Sequence, residues 1–375
     1  MGLSRYTLGK LLVRNTECNI KNKFDADSVR GLLNSKGITN TKANIEGRDL
    51  KKFIVVRPGG FVFNHRVHDK LGLGYNTSDD TYLFTNDYVS FYVRPEFKNT
   101  ILLPDYLYMW YLRPEFDRYM LFKTYGSATL FFNWDNMCEL EIQLPDISVQ
   151  QKYVAIYKAM VANQQSYERG VEDLKLTIDA QIEKIKHTAP ELSVAQLLYE
   201  VNIRNSDGAI KDVQGINISK QFMASVADTN GVDLTKYKVV QKGQFAFSGM
   251  QTGRDECIRI ALCDAEEPII ISPAYTVFEA KSQMFYPEYI MLWFLRGESD
   301  RRGWFMSDSS VRTNLDIDRF FEIKMPVPKK NIQKAIAELY TVYNTRKKIN
   351  EQLKAQIKDI CPILIRGSLE EKENV

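Results

Sequence analysis

The sequence is short of the features that mark several large classes of protein. Its five cysteines, Cys18, Cys138, Cys257, Cys263 and Cys361, are scattered and form no C-x-x-C pair, which argues against a disulfide framework or a cysteine zinc site and fits a reducing, cytoplasmic setting. No run approaches 18 uncharged apolar residues, and Met1 to Lys10 lacks an apolar core of signal-peptide length, so neither export nor a membrane span is expected. There are only three histidines, and although His65 and His68 lie close together, no cysteine lies near them and no triad is suggested. No Asn-Pro-Pro occurs, and Gly72-Leu73-Gly74 lacks the third glycine and following helix of a cofactor loop. That argues against an adenine methyltransferase. Glu322-Ile323-Lys324 has the acid-x-lysine look of a nuclease site, but the corresponding stretch reads Glu141-Ile142-Gln143, and a structural strand edge explains both.

Charge of one sign is also missing: 50 Lys and Arg against 47 Asp and Glu leave a formal net charge of +3. A weak total does not exclude nucleic-acid binding, which needs only a local stripe that neutralises phosphates and releases counterions. One such run holds Lys42, Arg48, Lys51, Lys52, Arg57, Arg66 and Lys70 against three acids, although such runs often serve only as a solvated face. Apolar residues at 44% and charged residues at 26% are those of a globular protein, and 375 residues exceed what one ordinary core organises. Two cores are therefore expected.

The dominant positive feature is an internal repeat. Pro104-Asp105-Tyr106-Leu107-Tyr108-Met109-Trp110-Tyr111-Leu112-Arg113 pairs with Pro287-Glu288-Tyr289-Ile290-Met291-Leu292-Trp293-Phe294-Leu295-Arg296, and nearly the same offset brings much of the two halves into register. Proline at a permitted early position and apolar groups three and four apart predict a helix docked on a sheet in each copy. Around it, Phe53 to Val56 overlies Tyr237 to Val240, and Gly59-Gly60-Phe61-Val62-Phe63 overlies Gly243-Gln244-Phe245-Ala246-Phe247, which reads as one hairpin written twice. Cys18 to Asn22 is matched with Val201 to Asn205 as a strand, and Glu141 to Pro145 with Glu322 to Pro326 as a strand stopped by proline.

A long helical stretch follows each copy. The first opens near Ser148, with Gln151 as a capping-box partner, and carries apolar residues from Tyr153 to Ile185 before Pro190. The second opens near Asn331 and carries a similar stripe to Gly367. A helix of that length spans about 55 Å at 1.5 Å per residue, too long for one small core to cover. Each is expected to pair with the other as an antiparallel coiled coil. The predicted fold is α/β, with mixed α+β domains, tandem duplication and pseudo-two-fold symmetry. Its predicted divisions are a first domain over 1–148, a helix over 149–190, a second domain over 191–328, and a helix and tail over 329–375.

A duplicated aromatic-rich domain, the hand-overs Pro145 to Lys152 and Pro326 to Lys334 (Q-Q-K and I-Q-K) and a closing coiled coil together resemble the specificity subunit of Type I restriction-modification systems. The resemblance implies a subunit that is not an enzyme by itself, whose two recognition domains each read half of a split site in double-stranded DNA. It implies that the paired helices set the gap and dock DNA methyltransferase subunits, two of them, with restriction and translocase subunits joining later. S-adenosylmethionine and ATP with Mg would belong to those partners, leaving no cofactor and no metal in this chain. The side chains expected at DNA are those of loops where the repeat fails to match. After the first aromatic strand these are Asn64, His65, Arg66 and Lys70, against Ser248, Gln251, Thr252 and Arg254 in the second copy. After the helix they are Lys123, Ser127 and Thr129, with Tyr125 alongside, against Arg302, Ser309, Ser310 and Arg312, with Ser307 alongside. A non-catalytic interaction scaffold and a stand-alone nuclease are the competing readings.

Overall fold

The computed structural model describes residues 3–126, 129–226, 231–250, 252–308 and 313–371. The chain divides into two compact units, one of Met1–Gln165 with Glu351–Val375 and one of Ser166–Asn350. Each unit holds a mixed sheet-and-helix domain and one stretch of each long helix. Among the described residues no helix is long and apolar enough to cross a membrane.

In the first unit the central antiparallel sheet runs Leu12–Asn15, Tyr88–Val93, Phe61–Asn64, Leu73–Tyr75 in spatial order. Strand alternation explains its two covered faces. Phe61 and Phe63 join Phe91, Tyr106, Tyr111 and Phe116 in the main core, while Val62 points the other way to Ile54, Val56 and Phe84. Those last residues come from a separate pairing of Ile54–Val56 with Tyr82–Phe84. The glycine turn at Gly59, with φ +82°, therefore passes the chain from one sheet to another. Its neighbouring strands do not pair with each other, so the expected hairpin is a corner between sheets. The helix Pro104–Tyr111 lays Tyr106, Leu107, Trp110 and Tyr111 on the main core, and Pro114–Lys123 follows directly.

The second unit repeats this sheet as Leu198–Val201, Thr276–Ala280, Phe245–Ser248, Arg259–Leu262, and Gly243, with φ +85°, makes the same corner. Here the flanking strands merge into one four-stranded sheet, Phe222–Ala224, Val213–Ile216, Ile269–Ile271, Lys238–Val240, with one parallel pair. The helices Pro287–Phe294 and Gly297–Met306 complete the copy.

The long helices span Ile147–Lys186 and Lys330–Glu370 and run antiparallel within each unit. In the first unit Lys152, near the start of one, pairs at 2.5 Å with Glu371, just past the end of the other, while Val154, Cys361, Leu364 and Ile365 close the main core. In the second, the Arg346 guanidinium lies 5.8 Å over the Tyr167 ring, and Ile178 and Ile182 share a core with Ile336 and Tyr340. Helix starts differ from expectation: Ser148 and Asn331 lie inside the first turns, because Val149 and Gln150 already donate to Asp146 O, and Ile332 to Lys329 O. Gly367 does not end the second helix, which continues to Glu370.

Two stretches of the repeat sit in a different register from their best letter match. Cys18 to Asn22 is a turn touching the sheet through single bridges, and the structural counterpart of its Asn19 is Asn205 rather than Asn202. Asn19 N donates to Phe53 O and its Nδ2 to Phe24 O; Asn205 N donates to Tyr237 O and its Nδ2 to Ile210 O. Likewise the strand Lys324–Pro326 ends on Pro326, and the residue equivalent to Pro145 is Pro328, at the same offset that carries Pro104 onto Pro287. Backbone hydrogen bonding fixes the equivalence, whereas matched letters favour Asn202 and Pro326.

Candidate nucleic-acid interface

In each unit the loop after the first aromatic strand is joined to the loop after the helix pair, although the two lie far apart in sequence. In the first unit Arg66 pairs with Phe131 and Val67 with Leu130, and Phe132 N donates to His65 O at 2.9 Å. In the second, Leu315 N donates to Gly249 O and Gly253 N to Thr313 O, both at 2.9 Å. A Cβ on Gly249 would fall 1.7 Å from Leu315 O, so only glycine permits that approach. Thus the same junction is built by a short β-pairing in one copy and by a glycine turn in the other.

The side chains presented there differ. The His65 ring stacks on Phe131, with centroids 5.5 Å apart and planes 18° from parallel, and Nδ1 donates to Asp87 O at 2.5 Å. A carbonyl can only accept, so this bond places a proton on Nδ1. Asn64 Oδ1 accepts from Arg66 N, and the exposed Arg66 guanidinium lies 3.9 Å from Asp87. Lys70 and Thr129 are exposed, whereas Lys123 is half-buried and paired with Glu139 at 2.9 Å, which raises its ammonium pKa. Beside this junction lies a cleft of about 300 Å³ lined by Arg14, His65, Asp87, Tyr125, Phe131 and Trp134.

In the second unit Ser248 and Thr252 are buried: Ser248 Oγ accepts from Met250 N, and Thr252 Oγ1 donates to Gly249 O at 3.0 Å. Their hydroxyls shape the turn. Arg254 and Arg302 are exposed, the former 3.4 Å from Asp255. Burial pushes the Asp255 carboxyl pKa up, but the Arg259 and Arg254 guanidiniums outweigh it and hold the pKa below the ordinary range. Ser127, Gln251, Ser309, Ser310 and Arg312 lie outside the described residues. All seven cations of the Lys42 to Lys70 run are exposed, but the buried strands Ile54–Val56 and Phe61–Phe63 interrupt it, and Glu17 neutralises Arg57 at 2.5 Å. Among the described residues no three His, Cys, Asp or Glu side chains are placed to share a metal ion.

Three repeated devices, whose contacts the sequence does not announce, tie the elements of each copy together. Lys36 and Lys220, both with left-handed backbone (φ +66° and +60°) and both buried, pair with Asp117 at 2.7 Å and Asp300 at 2.6 Å. Burial pushes the Lys36 ammonium pKa down, and Asp117 offsets part of that shift. Gln150 and Gln333, buried in the first turns of the long helices, accept from Leu103 N and Tyr286 N, the residues just before Pro104 and Pro287. Arg113 and Arg296 lie 4.3 and 5.0 Å over the Trp110 and Trp293 rings.

Residues 229–359 match the family model of the Type I restriction modification DNA specificity domain. No curated protein matches the sequence. Among solved structures, the S subunit of a Type-I restriction-modification system from M. genitalium is similar over 99% of this chain and 96% of its own, at 12% identity and a TM-score of 0.59. The HsdS subunit from Thermoanaerobacter tengcongensis is matched over 98% of this chain and 96% of its own, at 11% identity and a TM-score of 0.39. At such identities the first likeness is one of fold.

Proposed function

We propose that the chain is a sequence-specificity subunit of a Type I restriction-modification system and that each unit reads one half of a bipartite duplex-DNA target; the match of residues 229–359 to the DNA specificity domain of such systems supports this reading. The observation that carries the reading is the twice-built junction of two loops on one shared scaffold, with unlike side chains displayed on it. A pair of readers for two unlike half-sites needs a common frame and different contact residues.

In this reading His65, Arg66, Lys70 and Thr129 face one half-site and Arg254 and Arg302 the other, while Ser248 and Thr252 position their loop. Arginine favours guanine through two parallel hydrogen bonds, whereas lysine serves as a phosphate contact or a single donor. The paired long helices set the gap between half-sites and dock two methyltransferase subunits, which bring S-adenosylmethionine; translocase-nuclease subunits bring ATP and Mg. The chain itself contributes no catalytic group and acts in the cytoplasm.

The test is binding of the full chain, with methyltransferase subunit present, to duplex DNA over a range of salt. Affinity falls steeply as salt rises, and Arg66→Ala and Lys70→Ala each reduce the slope of log affinity against log salt by about one where the residue meets a phosphate. Arg66→Ala instead relaxes specificity at one base pair if it reads a base edge. Binding that is undetectable even at low salt contradicts the proposal, and metal-dependent cleavage by the purified chain alone contradicts its non-catalytic role.

A further inference from the structure

Each short helix that leads into a candidate loop ends on an uncovered aromatic. Phe122, next to last in Pro114–Lys123, is 83% exposed, and Phe305, next to last in Gly297–Met306, is 81% exposed. The same offset that carries Pro104 onto Pro287 carries Phe122 onto Phe305 and Leu121 onto Trp304, which are themselves 40% and 52% exposed. The opposite faces of these helices do the packing, through Phe116 and Met120 in the first and Ser299 and Gly303 in the second. Two adjacent large apolar side chains in water, at the same place in both copies, are not explained by either core.

Their neighbours differ in a telling way. The loops beyond these helix ends share little between copies, yet the apolar pair is kept. Whatever the pair meets must be common to both half-sites, which excludes a particular base sequence. Arginines flank both rings: Arg118 and Arg301 sit four residues before the two phenylalanines, on the same helix face, and Arg302 lies beside Arg301, while the acids Glu115, Asp117, Glu298 and Asp300 lie in the first turns, at the far ends of the helices. Arg118 pairs loosely with Glu115 at 3.4 Å, Arg301 is near enough to Glu298 to help lower its carboxyl pKa, and no salt bridge of Arg302 is seen among the described residues. An exposed aromatic flanked by arginines suits a polyanion with flat apolar faces inside it. Duplex DNA has both, and every base offers a π face whatever its identity.

We propose that Phe122 and Phe305 are sequence-independent wedge contacts, each placing its ring against the bases of duplex DNA beside the half-site that its own unit reads. The inference rests on the DNA-reading function above. Arg118, Arg301 and Arg302 hold the flanking phosphates, and the ring leans on a partly opened base step. Loss of the ring removes an apolar contact without removing a charge, so its effect on affinity does not depend on salt.

The experiment compares the full chain, with methyltransferase subunit, as wild type, Phe122→Ala, Phe305→Ala and Phe122→Trp, on a random-sequence duplex across a salt series. Each alanine variant is expected to bind about tenfold more weakly at every salt concentration, with the salt slope unchanged. Thermal unfolding should stay at the wild-type temperature, because both rings lie outside the core, and Phe122→Trp should retain binding. Affinities within twofold of wild type overturn the proposal, and so does a changed salt slope, which would make the contact ionic. Normal DNA binding with lost co-purification of the methyltransferase subunit would overturn it and assign the rings to that protein. A wild-type chain that binds no duplex DNA overturns the specificity reading as well, so the two failures are distinct.

Discussion

Replacing Asp300 by alanine is expected to destabilise the Ser166–Asn350 unit by about 3–5 kcal/mol, because it strands a buried ammonium. The Lys220 side chain is 4% exposed, and its Nζ donates to the Phe294 carbonyl as well as to Asp300. The same carboxylate oxygen accepts from Ile258 N at 3.0 Å, so the variant also orphans a backbone donor. Removing both charges together, as in Lys220→Met with Asp300→Leu, should cost much less, since two desolvation penalties disappear with the attraction. Urea unfolding followed by hydrogen exchange localised to the second unit separates these outcomes. A single-variant loss below about 1 kcal/mol would show the ammonium hydrated in solution. The Lys36 and Asp117 pair predicts the same pattern in the first unit.

Gln150→Ala is expected to cost the first unit about 2–3 kcal/mol, since one buried and two half-buried backbone groups lose their partner at roughly 1 kcal/mol each. Gln150 is fully buried; its Oε1 accepts from Leu103 N at 3.0 Å, and its Nε2 donates to Ile101 O at 2.8 Å and Pro145 O at 2.9 Å. One side chain thereby ties the entry of the Pro104 helix to the start of the long helix. Gln333 makes two of these bonds, to Tyr286 N and Pro328 O, and Gln333→Ala should cost correspondingly less. Denaturant midpoints of the two variants give the ranking. Equal losses, or a larger loss at Gln333, would contradict it.

These two devices also show where sequence reading succeeds and stops. The helices at Pro104 and Pro287, the aromatic strands at Phe61 and Phe245 and the paired long helices were legible, because proline placement and apolar periodicity are local and large. Gln150 and Gln333 were visible as part of the Q-Q-K and I-Q-K hand-overs, but letter similarity sets Pro326 where the glutamine Nε2 donation to a proline carbonyl sets Pro328. Nothing in the sequence separates Lys36 and Lys220 from ordinary surface lysines, and only folding brings the sequence-distant Asp117 and Asp300 to them. The junction of the two loop sets was not legible either. It depends on Phe131 pairing with Arg66 and Leu315 with Gly249, contacts that no periodicity announces. At Ser248 and Thr252, polar residue type in a loop suggested readers, whereas their burial shows hydroxyls engaged within the turn.

The most direct measurement is methylation mapping in a host that carries the complete system, with residues 1–148 of this chain exchanged for those of a relative of different specificity. Two separated half-sites are expected, and the exchange should rewrite one of them while leaving the other half and the gap unchanged. A single continuous target, or an exchange that alters both halves together, would contradict the assignment of one half-site to each unit.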